Sequence, residues 1–154
     1  MDRPPHIAVI GAGSCDAATY ALARDIGYRI GQKGWILICG GLGGVMEAAA
    51  QGCNEAGGMT VGILPGLNVS DANEYIRLAI PTGLGEARNA LVVRASKALV
   101  AISGGYGTLS EIALALKIGK PVVGLKTWPS IGGVQYVETS AEAIALAEKF
   151  LVRS

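Results

Sequence analysis

The run Ser103-Gly104-Gly105-Tyr106-Gly107-Thr108-Leu109-Ser110-Glu111 gathers the residue types that hold anions. Small residues let the main chain approach a ligand, and the unpaired N–H groups of a helix start point at it. An apolar strand, Ala98 to Ile102, leads in, and an apolar helix, Leu109 to Ile118, leads out. Three more glycine clusters have a similar setting: Gly11-Ala12-Gly13-Ser14, Gly40-Gly41-Leu42-Gly43-Gly44 and Gly83-Leu84-Gly85. One glycine at a strand end is ordinary turn chemistry. Four such loops along one edge point to a phosphate-bearing ligand. The expected binding residues are Gly11, Gly13, Ser14, Gly40, Gly41, Gly43, Gly44, Ser103, Gly104, Gly105, Tyr106, Gly107 and Thr108, joined by Arg88.

Arg88 falls in the first turn of the helix opened by Gly83-Leu84-Gly85. A cation there opposes the helix dipole. Its place makes sense if its planar fork meets an anion; the alternative partners are Glu86 and solvent. Lys117 and Lys120, at a helix end, read as ordinary dipole partners. Thr108 and Glu111 have two readings. Thr-x-x-Glu at a helix start is a capping box, in which both side chains serve the backbone. Otherwise Glu111 faces the pocket as a general base or a ligand to a sugar hydroxyl. Cys15, Cys39 and Cys53 lack metal-ligand spacing and a Cys-x-x-Cys pair, so no metal site is expected. They read as small buried residues, with contact of Cys15 or Cys39 to a ligand left open. His6 is the only histidine and has no evident partner, which argues against histidine catalysis.

Two phosphate-binding classes fail on detail. Gly11-Ala12-Gly13 begins a dinucleotide fingerprint, but Asp16 stands at the third glycine, and Cys39-Gly40 stands where an acidic residue would take a ribose hydroxyl. No Gly-Lys-Ser/Thr follows any glycine cluster, so a Walker-type loop is absent.

The elements that must position these loops alternate. Strands are expected at Ile7–Ile10, Trp35–Cys39, Thr60–Leu64, Tyr75–Ile80, Ala98–Ile102, Pro121–Leu125 and Gln135–Val137. Helices are expected at Asp16–Lys33, Val45–Ala56, Gly83–Ser96, Leu109–Ile118 and Ala141–Val152. This alternation predicts an α/β fold: a Rossmann-like, doubly wound parallel sheet of six or seven strands with helices on both faces. Ligands of such sheets sit beyond the strand carboxyl ends. The 154 residues fit a single domain spanning 1–154, with no linker or repeat. The chain is 51% apolar and 16% charged, which fits a sheet buried on both faces, a large subunit interface, or both. A net charge of +1, no basic block and 5% aromatics give no nucleic-acid surface. No apolar run approaches the roughly 18 residues of a membrane span. Met1 to His6 has no signal-peptide pattern, and the odd cysteine count fits a reducing compartment, so a cytoplasmic protein is expected.

Gly104 to Glu111 (Gly-Gly-Tyr-Gly-Thr-x-x-Glu), Gly40 to Met46 (Gly-Gly-x-x-Gly-x-Met) and the upstream Arg88 resemble the LOG or "lysine decarboxylase-like" superfamily. In its phosphoribohydrolase branch, which cleaves the N-glycosidic bond of cytokinin or adenine nucleoside 5'-monophosphates, the resemblance makes Arg88 and Glu111 the catalytic pair. Ser103 replaces that branch's Pro and Asn89 its Lys, while Leu84 or Gly85 stands near the place of its Met. Thr82 to Asn89, Ser110 to Lys117 and Lys120 to Val123 are more similar to the molybdenum cofactor carrier branch. That likeness implies a homo-oligomer, a dimer or tetramer, that binds, protects and transfers the molybdopterin cofactor. Its partners would be the phosphorylated pterin, or a nucleotide, and molybdoenzyme apoproteins. The expectation is a binding protein, with hydrolysis as the alternative.

Overall fold

Strands form where β-branched and apolar residues run together, and glycines or capping residues end each element. The computed structural model describes residues 2–152. β1 (His6–Gly11), β2 (Ile36–Cys39), β3 (Met59–Leu64), β4 (Leu78–Pro81), β5 (Ala98–Ile102), β6 (Val122–Leu125) and β7 (Val134–Tyr136) make one seven-stranded sheet of order β4-β3-β2-β1-β5-β6-β7. Every pair is parallel. The chain winds outward from β1 to β4, then restarts beside β1 with β5 and winds the other way. That reversal opens a crevice between the carboxyl ends of β1 and β5.

The helices are α1 (Ala17–Gln32), α2 (Val45–Glu55), α3 (Asn89–Arg94), α4 (Tyr106–Lys117) and α5 (Ser140–Val152). One core layer joins α1, α2 and α5 to one face of the sheet; a second joins α3 and α4 to the other. All five side chains of β5 are fully buried, as a central parallel strand requires. Each large one stabilises the fold by about 1.5–3 kcal/mol. Asp16 caps α1 by accepting the Thr19 N–H at 2.8 Å. α1 and α2 touch backbone to backbone. A Cβ on Gly27 would lie 1.9 Å from the Ala49 carbonyl, and one on Gly52 1.9 Å from the Arg24 carbonyl.

Several expected boundaries shift for physical reasons. The helix expected from Gly83 to Ser96 is a 3-10 turn, Gly85–Arg88, followed by the six-residue α3. Gly83 (φ 65°) and Gly85 (φ 58°) hold left-handed backbone, so no α-helix runs through them. β4 begins at Leu78 instead of Tyr75, because the Thr60 hydroxyl donates to the Tyr75 carbonyl at 2.7 Å and accepts from the Arg77 N–H at 2.9 Å. Those bonds hold Tyr75–Arg77 in a turn. Lys120 serves a different helix from the one expected. Its Nζ donates to the carbonyls of Val93, Arg94 and Ser96, closing α3 instead of α4. His6 has a partner after all, the Ala95 carbonyl at 3.0 Å from Nδ1. Among the described residues no helix is long and apolar enough to cross a membrane.

Candidate functional site

A cleft of about 280 Å³ lies at the crevice between β1 and β5. Its floor is the end of β1, Val9 to Gly11, continued by Ala12 and Gly13. The start of α4 forms one wall through Gly105, Gly107, Thr108 and Glu111. Gly40 and Met46 close the opposite side, and Arg88 and Asn89 reach in from the start of α3. Wider hollows lie along α1 and beside the β6–β7 loop, each about 540 Å³, and between the segment before β1 and the end of α3, about 640 Å³. Size does not mark the site. Among the described residues, the one buried side-chain polar atom without a hydrogen bond is Arg88 Nε, at this cleft.

The guanidinium of Arg88 is held from two sides. Nη1 donates to Asn89 Oδ1, and Nη2 lies 3.5 Å from the Gly40 carbonyl. Glu86 is not its partner. Gly40 leaves room for the group, since a Cβ there would lie 2.7 Å from Nη2. Nε–H is buried and finds no acceptor among the described residues.

α4 begins at Tyr106, three residues before the expected start, with Gly105 as its N-cap. Thr108 is therefore inside the first turn, and no capping box forms with Glu111. Among the described residues, the backbone N–H groups of Gly105, Tyr106, Gly107 and Thr108 find no acceptor. They carry the positive end of the helix dipole. The turn into this helix needs Gly104, whose φ is 110° and whose Cβ would lie 2.3 Å from Thr108 Oγ1. The second glycine loop is spent differently. The Val45 N–H at the start of α2 donates to the Ala12 carbonyl at 2.9 Å. A Cβ on Gly44 would strike the same carbonyl at 2.3 Å. This loop ties the β1 and β2 ends together, so α2's first amide is not a free donor.

Glu111 is 7% exposed, and among the described residues its carboxylate makes no hydrogen bond or ion pair. Burial pushes it up from 4.5 to about 7, and the Arg88 charge partly offsets that rise. Near neutral pH it exchanges a proton, as a general acid or base must.

Of the residues expected from sequence, the cleft brings together Gly11, Gly13, Gly40, Arg88, Gly105, Gly107, Thr108 and Glu111. Ser14, Gly41, Gly43, Gly44, Ser103, Gly104 and Tyr106 lie outside its lining. Gly41 is buried instead, and its carbonyl accepts the Asn73 N–H at 2.9 Å. Val9, Ile10, Ala12, Met46 and Asn89 were not expected in the lining. Met46 and Asn89 stand within the glycine and arginine motifs, which is the signal that marks them. No cysteine lines the cleft: Cys39 and Cys53 are buried, their thiols pushed up to about 11 and about 12, and Cys15 lies beside α1. Among the described residues no cluster of three His, Cys, Asp or Glu side chains is placed to hold a metal ion.

The molybdenum cofactor binding protein of Rippkaea orientalis is 37% identical and superposes with a TM-score of 0.92 over 98% of this chain and 99% of its own. The Moco carrier protein of Chlamydomonas reinhardtii is 39% identical, with a TM-score of 0.90 over 99% of this chain and 100% of its own. A cytokinin riboside 5'-monophosphate phosphoribohydrolase of Mycobacterium tuberculosis is 33% identical over 80% of this chain and 71% of its own length. The model of the SLOG cluster4 family matches residues 4–150, a span that includes every strand, the cleft and both glycine-rich motifs. The chain belongs to the SLOG cluster4 family.

Proposed function

We propose that this protein binds, protects and transfers molybdenum cofactor, a phosphorylated pterin, and that the start of α4 takes the anionic end of that ligand. The observation that carries the reading is the row of unspent amides from Gly105 to Thr108 beside Arg88 Nε. Hydrogen bonds to a charged group of this kind are each worth about 1.5–3 kcal/mol. The near full-length likeness to two molybdenum cofactor proteins supports the choice of ligand. Gly13 leaves open space beyond the end of β1, Gly11 and Gly40 make room for the Ile102 carbonyl and for Arg88, and Thr108 Oγ1 adds a donor. The Gly41–Gly44 loop supports the floor. The same reading makes the protein a cytoplasmic homo-oligomer that hands its cargo to molybdoenzyme apoproteins. Protein purified from a cofactor-producing host is expected to carry molybdenum and the pterin's absorbance. Arg88→Ala is expected to lower uptake about tenfold or more. Full uptake by Arg88→Ala would count against the site.

The second reading is a nucleoside 5'-monophosphate phosphoribohydrolase, favoured by Glu111. A largely buried carboxyl group at the cleft, pushed up to about 7 and facing the charge of Arg88, suits proton transfer at a glycosidic bond. Incubation with AMP separates the two. Free adenine that disappears in Glu111→Ala establishes the hydrolase. Absence of free base, with cofactor uptake intact, leaves the carrier.

A further inference from the structure

The cleft of about 280 Å³ is at the small end of ligand sites and is open to solvent. A phosphate seated at the start of α4 leaves the flat ring of its ligand near the residues at the rim. Tyr106 lies between the two cleft-lining glycines, Gly105 and Gly107. It is 81% exposed, an unusual cost for a large aromatic ring. Its ring centroid lies 5.6 Å from that of Trp128, with the planes 33° apart.

Trp128 also makes a polar contact with the site. Its indole Nε1–H donates to the Gly105 carbonyl at 2.9 Å. That carbonyl also accepts the Leu109 N–H at 3.0 Å, the first bond of α4. Carbonyl and N–H of one trans peptide point in opposite directions. Fixing the Gly105 carbonyl from two sides therefore fixes the Tyr106 N–H, the first free amide of the helix. The loop that carries Trp128 is itself pinned. The Thr127 hydroxyl donates to the Ser103 carbonyl at 2.7 Å, and the Tyr136 hydroxyl donates to the Trp128 carbonyl.

We propose that Trp128 is a positioning residue that aims the Tyr106 amide at the ligand's phosphate, and that the Tyr106 ring it braces is a stacking wall for the flat ring of a phosphorylated heteroaromatic ligand. This rests on reading the cleft as a phosphorylated-heterocycle site, and it selects for the flat ring as well as the phosphate. Stacking on an aromatic side chain tolerates any flat base and disappears when the ring is removed.

The test is calorimetric titration of the full chain with GMP and with ribose 5-phosphate, which shares the phosphate and sugar but has no ring. Tyr106 is exposed, so its variants fold. Tyr106→Ala is expected to weaken GMP about tenfold and leave ribose 5-phosphate within about twofold. Tyr106→Phe is expected to restore GMP binding. Trp128→Phe keeps a ring against Tyr106 but loses the N–H, and is expected to weaken both ligands by a similar factor of about five. Equal losses for both ligands in Tyr106→Ala, or no loss in either, overturn the stacking wall. Unchanged ribose 5-phosphate affinity in Trp128→Phe overturns the positioning role. If the wild type binds neither ligand, the phosphate-site reading falls and takes this inference with it. If the wild type binds both and the variants match it, only this inference falls.

Discussion

At the scale of single residues, Glu111 is held at a cost to the fold. Its carboxyl group titrates at about 7 in the native chain against an ordinary value of 4.5. The native state therefore binds this proton more tightly than the unfolded state. Its contribution favours folding at low pH and is lost as the pH rises from about 4.5 through about 7. The difference is on the order of 3 kcal/mol. Glu111→Gln removes the titration, so it is expected to raise thermal stability at pH 8 by about 1–3 kcal/mol and to change little at pH 5. Melting curves of both proteins at the two pH values check this, and an equal shift at both would contradict it. A site residue that destabilises its own fold matches the general conflict between function and stability.

At the scale of elements, α1 and α2 pack closely enough for their main chains to touch. The helices meet at Gly27 and Gly52, each with a main-chain carbonyl where a side chain would begin. The Arg24–Glu55 ion pair, 2.7 Å, spans the same contact at the surface. Gly52→Val forces the backbones apart and is expected to cost about 3 kcal/mol or more. Gly132→Ala, with open space around its Cβ position, is the matched control and is expected to change stability by less than about 0.5 kcal/mol. Urea unfolding of the two variants measures the contrast.

At the scale of the whole molecule, one sheet edge is open and apolar. β4 leaves a parallel edge unpaired, and Leu67, Val69, Leu78, Ile80 and Leu84 are all exposed on or beside it. Edges left open and apolar recruit partners. We assign this edge to the self-association proposed above. Leu78→Lys with Ile80→Lys is expected to reduce the particle to a single 15.7 kDa chain. Light scattering reads the mass. A wild-type monomer would overturn the oligomer, and an intact oligomer in the double variant would move the interface elsewhere.

Much of this architecture was legible in local pattern. Apolar runs of strand length, helical periodicity and glycine clusters after strands are set by neighbours in sequence, so the doubly wound sheet and the placing of glycine loops at its carboxyl edge followed from the chain itself. Arg88 stood out because its charge opposes the helix start it occupies. The tertiary structure decided what depends on distant partners. Thr-x-x-Glu occurs twice. At Thr139 it caps α5, with the Glu142 N–H donating to Thr139 Oγ1 at 3.1 Å and the Thr139 hydroxyl donating to Glu142 Oε1 at 2.9 Å. At Thr108 the same pattern lies inside α4, and Glu111 turns into the cleft toward the charge of Arg88. The sequence by itself determined that glycine loops meet helix starts at one edge of a parallel sheet. Only the folded chain decided which of those starts keeps its first amide free, because packing brings the Ala12 carbonyl to the Val45 N–H of α2 and brings no acceptor to the Tyr106 N–H of α4.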